Sequence, residues 1–377
     1  MNITPYGKQY IDNDDIAAVS KVLKRRIITS GQEVDFFEKK IINYLKCKFA
    51  HVCNSGTSAI FLAMKAIDLK KNDIVIMPAI NFVASYNVAK FFGAKIFLAD
   101  VDKLTGQMSP EDVEKCCKKF SIRSFKALIS MYHGGCPLNA DKFYKLKKKY
   151  KFIFIEDSCH ALGASYKTDG KKYMIGSCKH SDISTFSLHP VKTITTGEGG
   201  IITTNNKNYS QKIKKIISHG IVRTNKHWIY DVEINGLNFR LNDFQCALGS
   251  SQLKKINLFV KKRKKVHDNY HSFLGTVKEI ILPKVSNKYY SSHHLFIIII
   301  KNFDLKKKNK LIKYLLKRGI AVQYHYIPIY KFKIFNNDYH GKNSNYFYNK
   351  AISLPIYYSL NKQKQKYISK CIKKFFN

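Results

Sequence analysis

A chain of 377 residues, 45% of them hydrophobic, has room for one large α/β domain of roughly 200–250 residues and a smaller second one. No run reaches the roughly 18 apolar residues of a membrane span. The start, MNITPYGKQYIDNDD, lacks the basic-then-apolar pattern of a secretory signal, so no membrane partner and a cytoplasmic location are expected. The formal charge of +40 suits a phosphorylated ligand, but the basic groups are spread over many helices rather than gathered in one reader motif, so no nucleic-acid partner is expected.

Nine cysteines form no C-x-x-C pair and no Cys/His set with metal-ligand spacing, so no metal is expected. Asp12 to Arg25 reads as a helix, with Asp14 and Asp15 favouring its amino end and Ile16, Val19 and Leu23 at helical spacing. Past Ser30-Gly31, Val34 to Leu45 repeats the pattern with Phe37, Ile41 and Leu45 on one stripe. His51 to Cys53 is a short strand, Asn54 to Ser58 a tight polar turn and Ala59 to Ile67 a helix. Such a strand, turn and helix start can hold phosphate, because free backbone donors and the helix dipole face the anion. Ser and Thr also simply cap helices, and neither glycine-rich nucleotide pattern, G-x-G-x-x-G or G-x-x-x-x-G-K-[ST], is present.

Asp73 to Met77 is a strand closed by Pro78, Phe82 lies in the loop after it, and Ala84 to Phe91 is a helix. Strand and helix then alternate: Lys95 to Ala99, Pro110 to Lys119, Phe125 to Met131, the basic helix Ala140 to Lys149, and a strand from Phe152 that ends at Glu156 and Asp157. This alternation predicts a mostly parallel sheet with helices on both faces and active groups at the strand carboxyl ends. Ile183 to Phe186 is a further strand, ending in Ser187, His189 and Pro190 just before Lys192 and the small, polar TTGEGG. Ile201 to Thr204 reads as a strand, Asn208 to Ile217 as a helix and Ser218 to Arg240 as a loop. Asp243 to Asn269 is a long helix leaving the large domain. Leu295 to Ile300, Lys306 to Lys317, Val322 to Tyr326 and Gln363 to Phe375 then make a compact unit of strand, helix, strand and helix. The expected division is residues 1–250 for the large domain, with its amino-terminal helical segment, and 251–377 for a small α+β domain.

Asp157 and Lys192 each follow a strand of the predicted sheet, so both can reach one crevice. Pyridoxal 5′-phosphate (PLP) needs such a pair: a lysine amine for its Schiff base and a carboxylate that keeps its ring nitrogen protonated. On spacing alone the same residues fit a turn-capping aspartate and one more surface lysine.

The blocks NSGTSA, EDSCHALGA, SLHPVKTITTGEGG, SHG and GLNFRLNDFQCALGSSQL change that balance. In this order they resemble, over nearly the whole chain, the DegT/DnrJ/EryC1/StrS family of PLP-dependent nucleotide-sugar aminotransferases, which have the aspartate-aminotransferase fold (fold type I). SLHPVKTITTGEGG, KRGIAVQYHYIPIYKF and AISLPIYYSL most resemble the branch that serves pseudaminic acid biosynthesis.

The resemblance implies that Lys192 forms the Schiff base and shuttles the proton, while Asp157 pairs with the pyridine nitrogen. It puts His160 near the cofactor's phenolic oxygen, although a core histidine is the competing reading. Phe82 would stack on the ring, and Thr57, Ser58 and Ser187 would hold the phosphate. Asn238 would reach the phosphate of the neighbouring subunit, which makes a homodimer with shared active sites. Tyr6 and His325 would line the sugar-nucleotide pocket, and Arg240 would organise its loop. L-glutamate would donate the amine, leaving 2-oxoglutarate. C4 of a UDP-linked 4-keto-6-deoxy-N-acetylhexosamine would receive it. Some relatives carry histidine in place of the lysine and act as dehydratases; Lys192 favours transamination. The rivals are a GDP- or dTDP-linked acceptor, amination at C3, or a catalytically silent regulator or nucleic-acid-binding protein on the same fold. Lys192 and Asp157 argue against silence, and the lack of an appended reader module argues against nucleic-acid binding.

Overall fold

The computed structural model describes residues 3–225, 228–335 and 339–376. The first half follows the expected alternation: α1 (Asn13–Leu23), α2 (Gln32–Leu45), β1 (Phe49–Cys53), α3 (Gly56–Ala66), β2 (Ile74–Pro78), α4 (Ala84–Phe91) and β3 (Lys95–Ala99). Then come α5 (Pro110–Lys119), β4 (Ala127–Met131), α6 (Ala140–Tyr150) and β5 (Ile153–Asp157). Local chemistry sets several of these starts. Asp12 and Asp15 exchange backbone-to-carboxylate bonds of 3.2 Å at the head of α1; at α5 the Asp112 N–H donates to the Ser109 hydroxyl at 3.2 Å and the Ser109 N–H to the Asp112 carboxylate at 3.0 Å, with Pro110 in the first helical position.

The next elements are β6 (Ser165–Thr168), β7 (Lys171–Met174), β8 (Ile183–Ser187), β9 (Gly200–Thr204), α7 (Lys207–Ile216), β10 (Ile221–Arg223) and β11 (Tyr230–Val232). The β6–β7 and β10–β11 hairpins were not expected. Both are short; the first is largely polar, and the second, mostly exposed, interrupts a stretch read as loop. The chain closes with α8 (Asp243–Lys254), α9 (Ile256–Leu274), β12 (Ile280–Ile281), β13 (Tyr289–Tyr290), β14 (Phe296–Ile300), α10 (Leu305–Leu316), α11 (Lys342–Lys350), β15 (Ala351–Leu354) and α12 (Lys362–Phe376).

The seven-stranded sheet has the order β1-β9-β8-β5-β4-β2-β3. Its strands are parallel except β9, which runs against both β1 and β8. Strand period two divides the apolar side chains. Ile129, Ile155 and Ile183 face one core with α3 and α4, whereas Leu128 and Phe154 face the core of α5 and α6. The parallel register brings the carboxyl ends of β2, β4, β5 and β8 to one edge, and the site forms there.

Two expectations are corrected, the long helix and the strand at Val322 to Tyr326. The predicted long helix breaks at Lys255 into α8 and α9, and the Lys255 ammonium reaches Asp12 at 2.6 Å and the fully buried Asp15 at 2.8 Å. Ile256, Phe259 and Val260 of α9 belong to the core of the large sheet, while Val266, Tyr270 and Leu274 pack with β14, α10 and α12. The change of core therefore falls inside α9, beyond residue 250. Residues 4–6 hydrogen-bond to the carboxyl-terminal unit, while α1 is tied to α8 and Lys255: Thr4 N–H donates to Gly319 O at 2.7 Å, Ile356 N–H to Tyr6 O at 3.0 Å, and Gln252 Nε2 to Asp15 Oδ2 at 2.6 Å. Val322 to Tyr326 is not a strand. Only Gln323 bridges Ser353, because this segment turns its aromatic side chains toward a cavity instead of continuing a ladder. Among the described residues no helix is long and apolar enough to cross a membrane.

Candidate active site

At the sheet edge lies a cavity of about 500 Å³ whose lining includes Thr57, Phe82, Asp157, Ser187, Lys192 and Tyr326. A larger open groove of about 710 Å³ beside β6, β7 and α9 contains none of the residues singled out in the sequence, which gather instead at the smaller cavity.

Asp157 ends β5 and is 3% exposed. Its Oδ1 accepts the Cys159 N–H at 3.2 Å, and its Oδ2 accepts the Ser85 hydroxyl at 3.2 Å. Burial pushes its carboxyl up, while the Cys159 bonds, the Lys192 charge and Ser85 pull it back. Lys192 answers from the loop after β8. Burial pulls its amine down and the nearby Arg263 cation adds to that, against the upward pull of Cys159 and Asp157.

His160 is buried under the cavity. Gly134 N–H donates to its Nδ1 at 3.4 Å, and its Nε2 lies 2.9 Å from the Tyr326 hydroxyl. Its ring stands 4.1 Å from that of His294, centroid to centroid. Burial, then the charges of Lys192, His294, His133 and His325, hold it well below the usual imidazole range, so the ring is neutral. Phe82 is 52% exposed at the cavity, with its ring centroid 5.7 Å from that of Tyr326. Tyr6 and His325 line the same cavity, ring centroids 5.5 Å apart, and His325 Nδ1 meets the Ser353 hydroxyl at 2.8 Å.

The first turn of α3 opens on the cavity with free backbone donors, which can hold an anion. Ser55 caps it, accepting the Ser58 N–H at 3.0 Å, and the N–H groups of Gly56 and Thr57 make no hydrogen bond with the described residues. A Cβ on Gly56 would sit 2.8 Å from Ser187 Cβ, so only glycine lets the helix close on the end of β8. Ser58 departs from its expected place: its hydroxyl donates to Asn54 Oδ1 at 2.6 Å and is absent from the lining. Asn238 is exposed and also outside the lining; its Oδ1 accepts the Arg240 N–H at 3.3 Å. Arg240 in turn donates to the Ser218 hydroxyl at 2.9 Å, tying down its loop as expected.

The sequence profile of the DegT/DnrJ/EryC1/StrS aminotransferase family matches residues 9–373. The chain belongs to this family. It is 37% identical over 366 residues to the UDP-4-amino-4,6-dideoxy-N-acetyl-beta-L-altrosamine transaminase of Campylobacter jejuni serotype O:23/36, covering 96% of this chain and 95% of that one. GDP-perosamine synthase of Escherichia coli O157:H7 is 27% identical over 353 residues, covering 93% of this chain and 92% of that one. Among solved structures, Helicobacter pylori PseC, an aminotransferase involved in the biosynthesis of pseudoaminic acid, superposes with a TM-score of 0.91 at 30% identity, covering 100% of this chain and 99% of that one. The fold is PLP-dependent aminotransferase fold type I, with a large and a smaller unit.

The residues of this DegT-family chain fit that cofactor. A buried carboxylate, a lysine amine and a helix start with free donors converge on one cavity, matching a ring nitrogen, an aldehyde and a phosphate. Asn81 strengthens the fit. It is 1% exposed, lines the cavity, and neither its Nδ2 nor its Oδ1 has a partner, so a polar ligand would satisfy both. Sequence reasoning passed over Asn81, His294 and Tyr326. Asn81 stands beside Phe82 after β2, and Tyr326 beside His325, so adjacency to a nominated residue was the available signal. His294 had none.

Proposed function

We propose that this chain is a PLP-dependent transaminase that moves the amine of L-glutamate to C4 of UDP-2-acetamido-2,6-dideoxy-β-L-arabino-hex-4-ulose, giving UDP-4-amino-4,6-dideoxy-N-acetyl-β-L-altrosamine. The observation that carries the reading is the meeting of Asp157 and Lys192 in one cavity with the α3 cradle. The 37% identity to the Campylobacter jejuni enzyme supports this acceptor over other keto sugars.

When bound, PLP supplies the electron sink for moving an amine between two carbons. The Asp157 carboxylate holds the proton on the ring nitrogen. Lys192, biased toward the neutral amine, anchors the cofactor and then carries the proton to and from the reacting carbon. Thr57, Ser187 and the first-turn N–H groups of α3 take the phosphate, with Ser58 contributing to the helix start rather than through its hydroxyl. Phe82 covers the ring, His160 supports the phenolic side through Tyr326, and Tyr6 and His325 meet the sugar nucleotide. Asn238, exposed in its own protomer, serves the phosphate of a second copy, so the active form is a homodimer. The basic composition suits a diphosphate-bearing substrate.

The 27% identity to GDP-perosamine synthase supports a second reading, a GDP-linked 4-keto acceptor. The deciding assay mixes purified protein, PLP and L-glutamate with the UDP-linked 4-keto sugar, its gluco-configured isomer or a GDP-linked 4-keto sugar. Amination of the first alone is expected. Amination of a GDP sugar alone moves the assignment to the second reading, and no amine transfer to any acceptor removes both.

A further inference from the structure

Arg263, midway along α9, is 2% exposed, and among the described residues no carboxylate offsets its charge. Four backbone carbonyls take its place. Nη1 donates to Ile356 O at 3.0 Å and His294 O at 3.3 Å; Nη2 donates to Val191 O at 3.3 Å and Lys192 O at 3.5 Å. A buried cation without a counter-ion is costly, and its neighbours on the same helix, Val260 and Val266, show that apolar residues suit this face. The placement therefore calls for a reason beyond packing.

Three of the four carbonyls belong to residues that line the catalytic cavity: Val191, Lys192 and His294. Burial brings the guanidinium down only to about 10, so it stays charged at neutral pH. Burial is the main influence on the Lys192 amine and disfavours its protonated form; Cys159 and Asp157 favour that form, and among the described residues Arg263 is the one nearby cation that adds to the effect of burial. His160, His294 and His325 stand around it as neutral rings.

We propose that Arg263 is a positioning residue for Lys192: its fork of carbonyl bonds fixes residues 191–192 beside His294 and keeps a buried cation against the backbone that carries the amine. The inference rests on the aminotransferase reading, in which Lys192 must shed its proton to bond the cofactor. A lysine flanked by Asp157 alone would be held as an ion pair and would react slowly.

The test reads Lys192 directly. The full-length chain, freed of cofactor, is pulse-labelled with acetic anhydride across a pH series, and acetylation of Lys192 is measured by mass spectrometry against exposed lysines. In the wild type, Lys192 should reach half-maximal labelling at least about one pH unit below the exposed lysines. Arg263→Gln keeps donors for the carbonyls but removes the charge. It should raise the midpoint by roughly one unit, about a tenfold loss of labelling at a fixed pH below it. Arg263→Lys keeps the charge but loses the fork, and should leave the midpoint close to the wild type. Identical midpoints in wild type and Arg263→Gln overturn the proposal, as do equal shifts in both variants. Should Arg263→Gln fail to fold, Arg263→Met is labelled in its place, and a midpoint unchanged from the wild type overturns the proposal, since burial alone already lowers the wild-type midpoint. Because the labelling needs no cofactor, its failure is separable from failure of the aminotransferase reading, which would appear as no amine transfer by the wild type.

Discussion

The Tyr326 hydroxyl meets His160 at 2.9 Å on Nε2, while the Gly134 N–H occupies the opposite ring nitrogen. A neutral imidazole that accepts at Nδ1 carries its proton on Nε2, so His160 donates to the tyrosine oxygen. The Tyr326 O–H is thereby released to donate into the cavity. Tyr326→Phe removes that donor and should lower kcat/KM by about tenfold, the effect of one hydrogen bond made to a reacting or binding group. Steady-state kinetics with both substrates checks it; wild-type values would mean the hydroxyl points elsewhere.

Asp157→Asn separates catalysis from stability. The carboxyl is buried and pushed up by that burial, so the neutral amide removes a desolvation cost. The cofactor-free variant should melt no lower than the wild type. Single-turnover amine transfer should nevertheless fall by at least about a hundredfold, since the ring nitrogen loses its charged partner. A rate within a few-fold of wild type would be incompatible with the proposed role.

Asn81 presents two unpartnered amide atoms to the cavity. Asn81→Leu removes polar atoms that the cofactor-free protein does not satisfy, so its melting temperature should hold or rise. Affinity for the cofactor or the sugar nucleotide should drop about tenfold, measured by calorimetric titration of each. If both affinities are unchanged, the amide does not face a ligand.

Acid should destabilise the fold through its buried histidines. Burial brings His51 and His133 down to about 4, and His293 and His325 down to about 3, from the ordinary 6.5. Between those values and 6.5 the unfolded chain binds protons that the folded chain refuses. Their contribution to stability is therefore intact above 6.5 and lost as pH falls, at up to about 1.4 kcal/mol per histidine per pH unit. Glu38, raised to about 7 by burial, acts in the opposite direction, as do the raised carboxyls of Glu156 and Asp157. The histidines outnumber these carboxyls, so calorimetry should show the melting temperature falling from pH 6.5 to 4.5. A rise over that interval would contradict the neutral-histidine assignment.

That Asp157 and Lys192 could reach one crevice was legible in the amino-acid order, because each follows a strand with a β-prone run and parallel strands bring their carboxyl ends together; spacing alone left a turn cap and a surface lysine equally open. The strand, turn and helix start at α3 was legible from local pattern, but small hydroxyl residues there also serve as simple caps, as Ser55 does, so the phosphate reading leaned on the family resemblance. The path of residues 322–326 was not legible, since its β-branched and aromatic composition reads as a strand while its side chains serve the cavity. Ser58 shows the same limit at the scale of one side chain. Its position at the helix start was foreseen, but the hydroxyl's choice of Asn54 depends on a rotamer.

By itself, the sequence determined the alternation of strands and helices, and with it which residues would stand at the sheet's reactive edge. Apolar periodicity and turn chemistry are local properties, carried within a dozen residues. Only the tertiary structure decided what surrounds those residues: Arg263 from α9 against the carbonyl of Lys192, Tyr326 over His160, and Tyr6 brought beside His325. Those contacts join segments far apart in the chain, and they depend on how the large sheet, α9 and the second unit close on one another.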